Sequence, residues 1–143
     1  MTVKAILSRK GRDVSTITPT ASLSEAVRLL AQRRIGAVVV TGPDNRVAGI
    51  LSERDIVRAI SDRGPAALEE NVAAVMTRKV STCAESETVA VLMEKMTAGK
   101  FRHLPVVEQG RLVGIISIGD VVKLRVEEIE SETEALREYI ATA

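Results

Sequence analysis

Gly114-Ile115-Ile116-Ser117-Ile118-Gly119-Asp120 restates an earlier stretch of the same chain, Gly49-Ile50-Leu51-Ser52-Glu53-Arg54-Asp55. The Gly, the aliphatic pair, the Ser and the Asp coincide, and matched positions lie 65 residues apart, from 49 and 114 through 55 and 120. Apolar residues run into each copy (Val47-Ala48, Leu112-Val113) and out of it (Ile56-Val57, Val121-Val122). A repeat of this period in 143 residues predicts two similar halves. Each copy reads as a buried strand entering a helix, with Ser as N-cap and an acid in the first turn. Ser-x-x-Asp admits two uses. It can be a capping box with Asp in place of Glu. It can also be a ligand site, because a helix N-terminus offers free N–H groups to a phosphate and a carboxylate offers two acceptors to a ribose diol.

Working outward from the motifs, the rest of the chain follows the same plan twice. Val3, Ile6 and Leu7 share a helical face, and Ser8 to Asp13 reads as a loop. Val14 to Ile17 is a candidate strand stopped by Thr18-Pro19-Thr20. Ser22 and Glu25 cap a helix from about Leu23 to Arg34, whose apolar positions Leu23, Ala26, Val27, Leu30 and Ala31 keep helical spacing. Ala37 to Val40 is apolar without alternation, the mark of a strand buried on both faces. A turn at Gly42-Pro43-Asp44-Asn45 leads into a returning strand from Arg46 and a helix over Arg54 to Ile60. After a connector broken by Gly64 and Pro65, the pattern restarts. Val72 to Met76 answers Val3 to Leu7, Val80 to Cys83 answers Val14 to Ile17, and His103 to Val107 answers Ala37 to Thr41. The tighter turn Gln109-Gly110 and a last strand, Leu112 to Ser117, complete the second copy. The expected architecture is α+β: two pseudo-symmetric βαββα halves packed sheet to sheet, followed by a long C-terminal helix. The boundaries fall at 3–63 for the first repeat, 64–79 for the connector, 80–126 for the second repeat and 127–143 for the helical extension. From Gly119 to near Thr142 there is neither Pro nor internal Gly, and Val122, Val126, Ile129, Thr133, Leu136 and Ile140 keep a seven-residue repeat, which predicts a self-association seam.

Composition narrows the function. Hydrophobic residues at 45% and charged residues at 27% are an ordinary globular balance, and a net charge of +1 predicts neither a nucleic-acid nor a membrane partner. Phe101 and Tyr139 are the only aromatics, so a bound base is expected to lie mostly between aliphatic side chains rather than on a stacking platform. Cys83 is the only cysteine and His103 the only histidine, which argues against a disulfide framework and against a zinc site. No span reaches membrane length, and a cytoplasmic, soluble protein is expected.

These motifs, together with His103-Leu104-Pro105-Val106-Val107, resemble a tandem pair of CBS domains, the Bateman module, over residues 3 to 125. The resemblance implies two clefts between the halves that take adenosine compounds: AMP before ATP, ADP or NAD(H), or S-adenosylmethionine, without a metal. It implies that the motif Asp holds ribose and the motif Ser lies near phosphate. One site then comprises Asp120 and Ser117, with Arg102, His103 and Pro105 from the middle strand and Ser15, Thr16 and Ile17 from the opposite half. The other comprises Asp55, Ser52 and Arg54, with Gly36 and Ala37, and Ser81, Thr82 and Cys83 from the opposite half. The Asp120 site is expected to dominate, because Gly36-Ala37 stands where the second half has the cationic or polar pair Arg102-His103. The resemblance further implies a homodimer that signals to an unidentified regulated protein, no effector domain being attached.

Two rivals remain at this level. An interaction module that binds no ligand would carry the same pattern. An enzyme finds less support, since there is no P-loop and no G-x-G-x-x-G, and Gly114-Ile-Ile-Ser117-Ile-Gly119 lacks the first Gly of a nucleophile elbow.

Overall fold

The computed structural model describes residues 1–142. Its order is α1 (Val3–Lys10), β1 (Thr16–Ile17), α2 (Leu23–Arg33), β2 (Ala37–Thr41), β3 (Val47–Ser52), α3 (Glu53–Arg63), α4 (Val72–Val75), α5 (Val89–Gly99), β4 (His103–Glu108), β5 (Arg111–Ser117) and α6 (Ile118–Thr142). The halves repeat one another closely. In the first, β1 lies parallel to β2, and β2 pairs antiparallel with β3. In the second, β4 and β5 form the matching hairpin. Both hairpins shift register at the same place, between Val40 and Thr41 and between Val106 and Val107. The second connection has two residues where the first has five, and both of them take positive φ angles, Gln109 at 52° and Gly110 at 78°, the geometry of a tight hairpin.

Two segments depart from the expected elements. Val80 to Cys83 does not form a strand; it makes a single parallel bridge, in which Cys83 N–H donates to the Pro105 carbonyl (3.0 Å) and the Cys83 carbonyl accepts from Val107 N–H (2.9 Å). The neighbouring Thr82 carbonyl is taken by Lys95 Nζ at 3.1 Å instead. Ser8 to Lys10, expected in a loop, completes α1. Ser8 Oγ bonds back to the Lys4 carbonyl (3.0 Å), and the helix ends at Gly11, whose φ of 97° suits glycine.

The leading helix of each half belongs to the core of the other. Val3, Ile6 and Leu7 of α1 are buried with Cys83, Val89, Leu92, Leu104, Ile116 and Val121. Val72 and Met76, within and just after α4, are buried with Leu23, Leu30, Val38, Leu51 and Ile56. Matching backbone bonds fasten the exchange: Val3 N–H to Glu87 O (2.9 Å) and Val89 N–H to Met1 O (3.0 Å) on one side, Val72 N–H to Ala21 O and Leu23 N–H to Glu70 O (both 2.8 Å) on the other. Val39 is fully buried, yet it lies outside both clusters, on the face of β2 opposite Val38 and Val40. In the turn that follows β2, Asn45 Nδ2 donates across to the second half, at the Leu112 carbonyl (2.9 Å).

The motif glycines sit where the exchanged segments cross. A Cβ on Gly114 would stand 2.7 Å from Leu7 Cδ2. One on Gly49 would stand 2.7 Å from Met76 Sδ and 2.8 Å from the Thr77 carbonyl oxygen, which is itself bonded to Ile50 N–H at 3.0 Å. A leucine side chain can turn away more easily than a paired backbone carbonyl. Gly49→Ala is therefore expected to destabilise the protein by about 1–3 kcal/mol, and Gly114→Ala by less. Chemical denaturation of both variants checks this; a Gly49→Ala protein as stable as the parent would refute the crossing as the reason for the glycine.

Candidate functional site

Both Ser-x-x-Asp motifs are reciprocal helix caps. At the start of α3, Asp55 N–H donates to Ser52 Oγ (3.2 Å), while Asp55 Oδ2 accepts from Ser52 N–H (3.0 Å). At the start of α6, Asp120 N–H donates to Ser117 Oγ (3.1 Å), and Asp120 Oδ2 accepts from Ser117 N–H (2.9 Å). The surroundings of the two carboxylates differ. Asp55 Oδ1 accepts a further bond from the Thr77 hydroxyl at 3.2 Å. Asp120 Oδ2 accepts one from Lys10 Nζ at 2.7 Å, and the same ammonium also donates to the Ile115 carbonyl at 3.0 Å. Burial pushes the Asp120 carboxyl upward, but the Lys10 bond and the Ser117 N–H outweigh it and hold the group below the usual carboxylate range.

Asp55 stands in the wall of a cavity of about 390 Å³, within the range typical of small-molecule sites. Its lining comes from both halves: Gly36, Ala37, Ser52, Glu53, Arg54 and Arg58 from the first; Thr77 and Lys79 from the linking segment; and Ser81, Lys100, Phe101, Arg102 and His103 from the second. Five of these carry positive charge, Arg54, Arg58, Lys79, Lys100 and Arg102, against the two carboxylates of Glu53 and Asp55, an excess of three. None of the five forms an ion pair among the described residues. Clustered cations repel one another, and a cleft that holds them unneutralised is suited to an anion. Gly36 leaves the space that His103 approaches, with His103 Cε1 4.0 Å from where a Cβ would be.

Asp120 opens onto a smaller cavity of about 180 Å³ lined by Ile6, Arg9, Lys10, Lys123, Leu124 and Glu127. Of the residues expected around each carboxylate, those at the start of β4 serve both places: His103 pairs with Ser117, next to Asp120. Arg102 and His103, expected beside Asp120, line the Asp55 cavity together with Gly36, Ala37, Ser52, Arg54 and Ser81. The pseudo-twofold arrangement supplies the cation that Gly36-Ala37 lacks. Ser15, Thr16, Ile17, Pro105 and Ser117 line neither cavity; Ile17 packs on the first core and Pro105 is buried. Thr82 also lines neither, and Cys83 is buried in the second core, where desolvation pushes its thiol up to about 12.

Arg58, Thr77, Lys79, Lys100 and Phe101 were not expected in the site, nor was Lys10. One signal for the lysines lay in the repeat: carrying the match of Val3 to Val72 onward by seven residues pairs Lys10 with Lys79. Phe101 gives the cavity an aromatic wall, where composition predicted an aliphatic slot.

A family model described as CBS domain matches residues 3–62 and 72–127. The crystal structure of a CBS-domain containing protein from Agrobacterium tumefaciens is 53% identical and superposes with a TM-score of 0.84, covering 87% of this chain and 99% of that one. A CBS domain protein from Pyrobaculum aerophilum, solved in complex with AMP, is 32% identical with a TM-score of 0.75, covering 84% and 89% of the two chains. The mitochondrial CBS domain-containing protein CBSX3 of Arabidopsis thaliana is 32% identical over 97% of this chain and 71% of its own length. Other curated relatives are longer, and the chain spans 39% of one and 19% of others. No helix among the described residues is long and apolar enough to cross a membrane.

His103 reports on the charge of the site. Burial lowers its pKa first, then the nearby Lys10; Asp120 and Glu53 pull the other way, Arg102 adds to the lowering, and the net is a value below that of an ordinary histidine. The folded state therefore binds this proton less readily than the unfolded chain, so stability falls as pH drops below the ordinary value near 6.5. Being the single histidine, it can be followed without assignment ambiguity by proton NMR. The imidazole is expected to titrate below about 6.5 in the ligand-free protein; a midpoint at or above that value would contradict the described surroundings.

Proposed function

Since the chain belongs to the CBS-domain family, with two CBS repeats in tandem, we propose that it is a regulatory module that binds an adenine nucleotide and signals its presence to a partner protein. One observation carries the reading: a two-sided cavity in which a capping carboxylate faces five unneutralised cations. Asp55 has the acceptors for a ribose diol. Arg58, Lys79, Lys100 and Arg102 offer donors to phosphate oxygens, which favours a nucleotide with two or three phosphates, ADP or ATP, over the cationic S-adenosylmethionine. Phe101, Ile50 and Val80 supply apolar surface for the base. The principal site on this reading is the Asp55 cavity. The P. aerophilum relative with bound AMP supports adenosine recognition by the fold. The cavity's donors bind and orient, and catalysis is not part of the reading.

Self-association is the second part of the proposal. Val122, Val126, Ile129, Leu136 and Ile140 project from α6 with roughly half or more of their surface exposed, on a seven-residue repeat that keeps one seam facing a neighbouring helix. Removing the residues after Val126 should shift the protein toward monomer in light scattering at low concentration, and an unchanged mass would count against the seam.

Asp55→Ala deletes two charge-assisted bonds to ribose, each worth roughly 1.5–3 kcal/mol, and should lower ATP affinity at least tenfold. Loss of the cap should cost only about 1 kcal/mol in stability. Titration calorimetry, with circular dichroism to confirm folding, decides it: a folded Asp55→Ala protein that binds ATP and AMP like the parent removes the carboxylate from the site and the reading with it.

A further inference from the structure

We propose that Lys10 is a built-in occupant of the Asp120 carboxylate, so that the two motifs are functionally unequal and each chain takes one nucleotide, at Asp55. This rests on the nucleotide-binding reading above and adds to it a stoichiometry and the residue that sets it.

The asymmetry begins in the leading helices. With Val3 matched to Val72, Lys10 and Lys79 occupy equivalent positions. α1 runs eight residues and ends on Lys10, whereas α4 runs four and ends well before Lys79. The longer helix delivers the Lys10 ammonium to Asp120 Oδ2 at 2.7 Å and anchors it a second time on the Ile115 carbonyl at 3.0 Å. Lys79 reaches no carboxylate and stays on the wall of the larger cavity, where it adds to the positive charge. The corresponding third partner of Asp55 is the neutral hydroxyl of Thr77, at 3.2 Å.

A ribose hydroxyl arriving at Asp55 competes with a neutral hydroxyl that can rotate away. At Asp120 it competes with an ammonium, whose full charge adds an ion pair to the hydrogen bond and whose loss leaves unpaired a carboxylate of which only 24% of the side chain is exposed. The space follows the same division. The Asp120 cavity, about 180 Å³, is less than half the other, and Lys10 stands in its wall. The exposed Arg9–Glu127 ion pair at 2.6 Å joins the last turn of α1 to α6 beside Lys10.

Calorimetric titration of the full chain with ATP tests this. The parent is expected to bind one ATP per chain. Lys10→Ala frees Asp120 and should bind two, while Lys10→Arg, which keeps a cation at that position, should remain at one. A carbon-13 NMR titration of the Asp120 carboxyl reads the ion pair directly: its midpoint should rise in Lys10→Ala and not in Lys10→Arg. Two ATP on the parent, or one on a folded Lys10→Ala protein whose Asp120 midpoint has risen, overturns the proposal while leaving nucleotide binding intact. An Asp120 midpoint unmoved by Lys10→Ala overturns the ion pair as the cause. Absence of ATP binding to the parent overturns the nucleotide reading, and the single-site proposal with it.

Discussion

The exchange of leading helices is the constraint on which the rest of this structure depends. Neither half closes its own core. The first lends α1 to the second and receives the α4 segment in return, so Leu7 packs over Gly114 and Met76 over Gly49. A side chain at either glycine would hold the crossing segment away from the strand. The spacing of Gly from Ser and Asp then follows from the pleat and the cap. Gly lies at the crossing, the next two aliphatics run along the strand, and Ser ends it by capping the following helix. The repeated motif is first of all a packing device, and its chemical use is built on that.

The same exchange positions the site. The segment that follows each leading helix is carried to the C-terminal end of the other half's last strand, where the motif carboxylate stands. Thr77 extends the first sheet by pairing with Ile50, which brings its hydroxyl to Asp55 and places Lys79 and Ser81 on the cavity wall. Lys10 reaches Asp120 from the last turn of α1 itself. The site is therefore assembled from both halves by backbone pairing, and its charge is decided by residues far from the motif in sequence. The pseudo-symmetry of the backbone does not extend to the electrostatics. One carboxylate is neutralised by a lysine at hydrogen-bond distance; the other shares a cavity with five cations that have no partner among the described residues.

The sequence by itself determined the architecture, because the signals for it are local and duplicated. The 65-residue period gave two halves, the capping Ser residues placed the starts of α2, α3 and α6, and the uninterrupted run after Ile118 placed the long final helix. The two motif carboxylates were legible for the same reason. Tertiary structure alone decided what surrounds them. Strand pairing turned Cys83 into the second core and left Ser15 to Ile17 outside both cavities, and no periodicity records such a choice. Arg102 and His103 lie beside Ser117 on the β4–β5 ladder and also line the Asp55 cavity, because the halves meet about a pseudo-twofold relation that local pattern does not encode. The length of α1, which runs on through Ser8 to Lys10, decided which carboxylate is neutralised. Backbone elements follow from nearest neighbours in the chain, whereas the charge balance of a cleft depends on groups that meet only once the chain has folded.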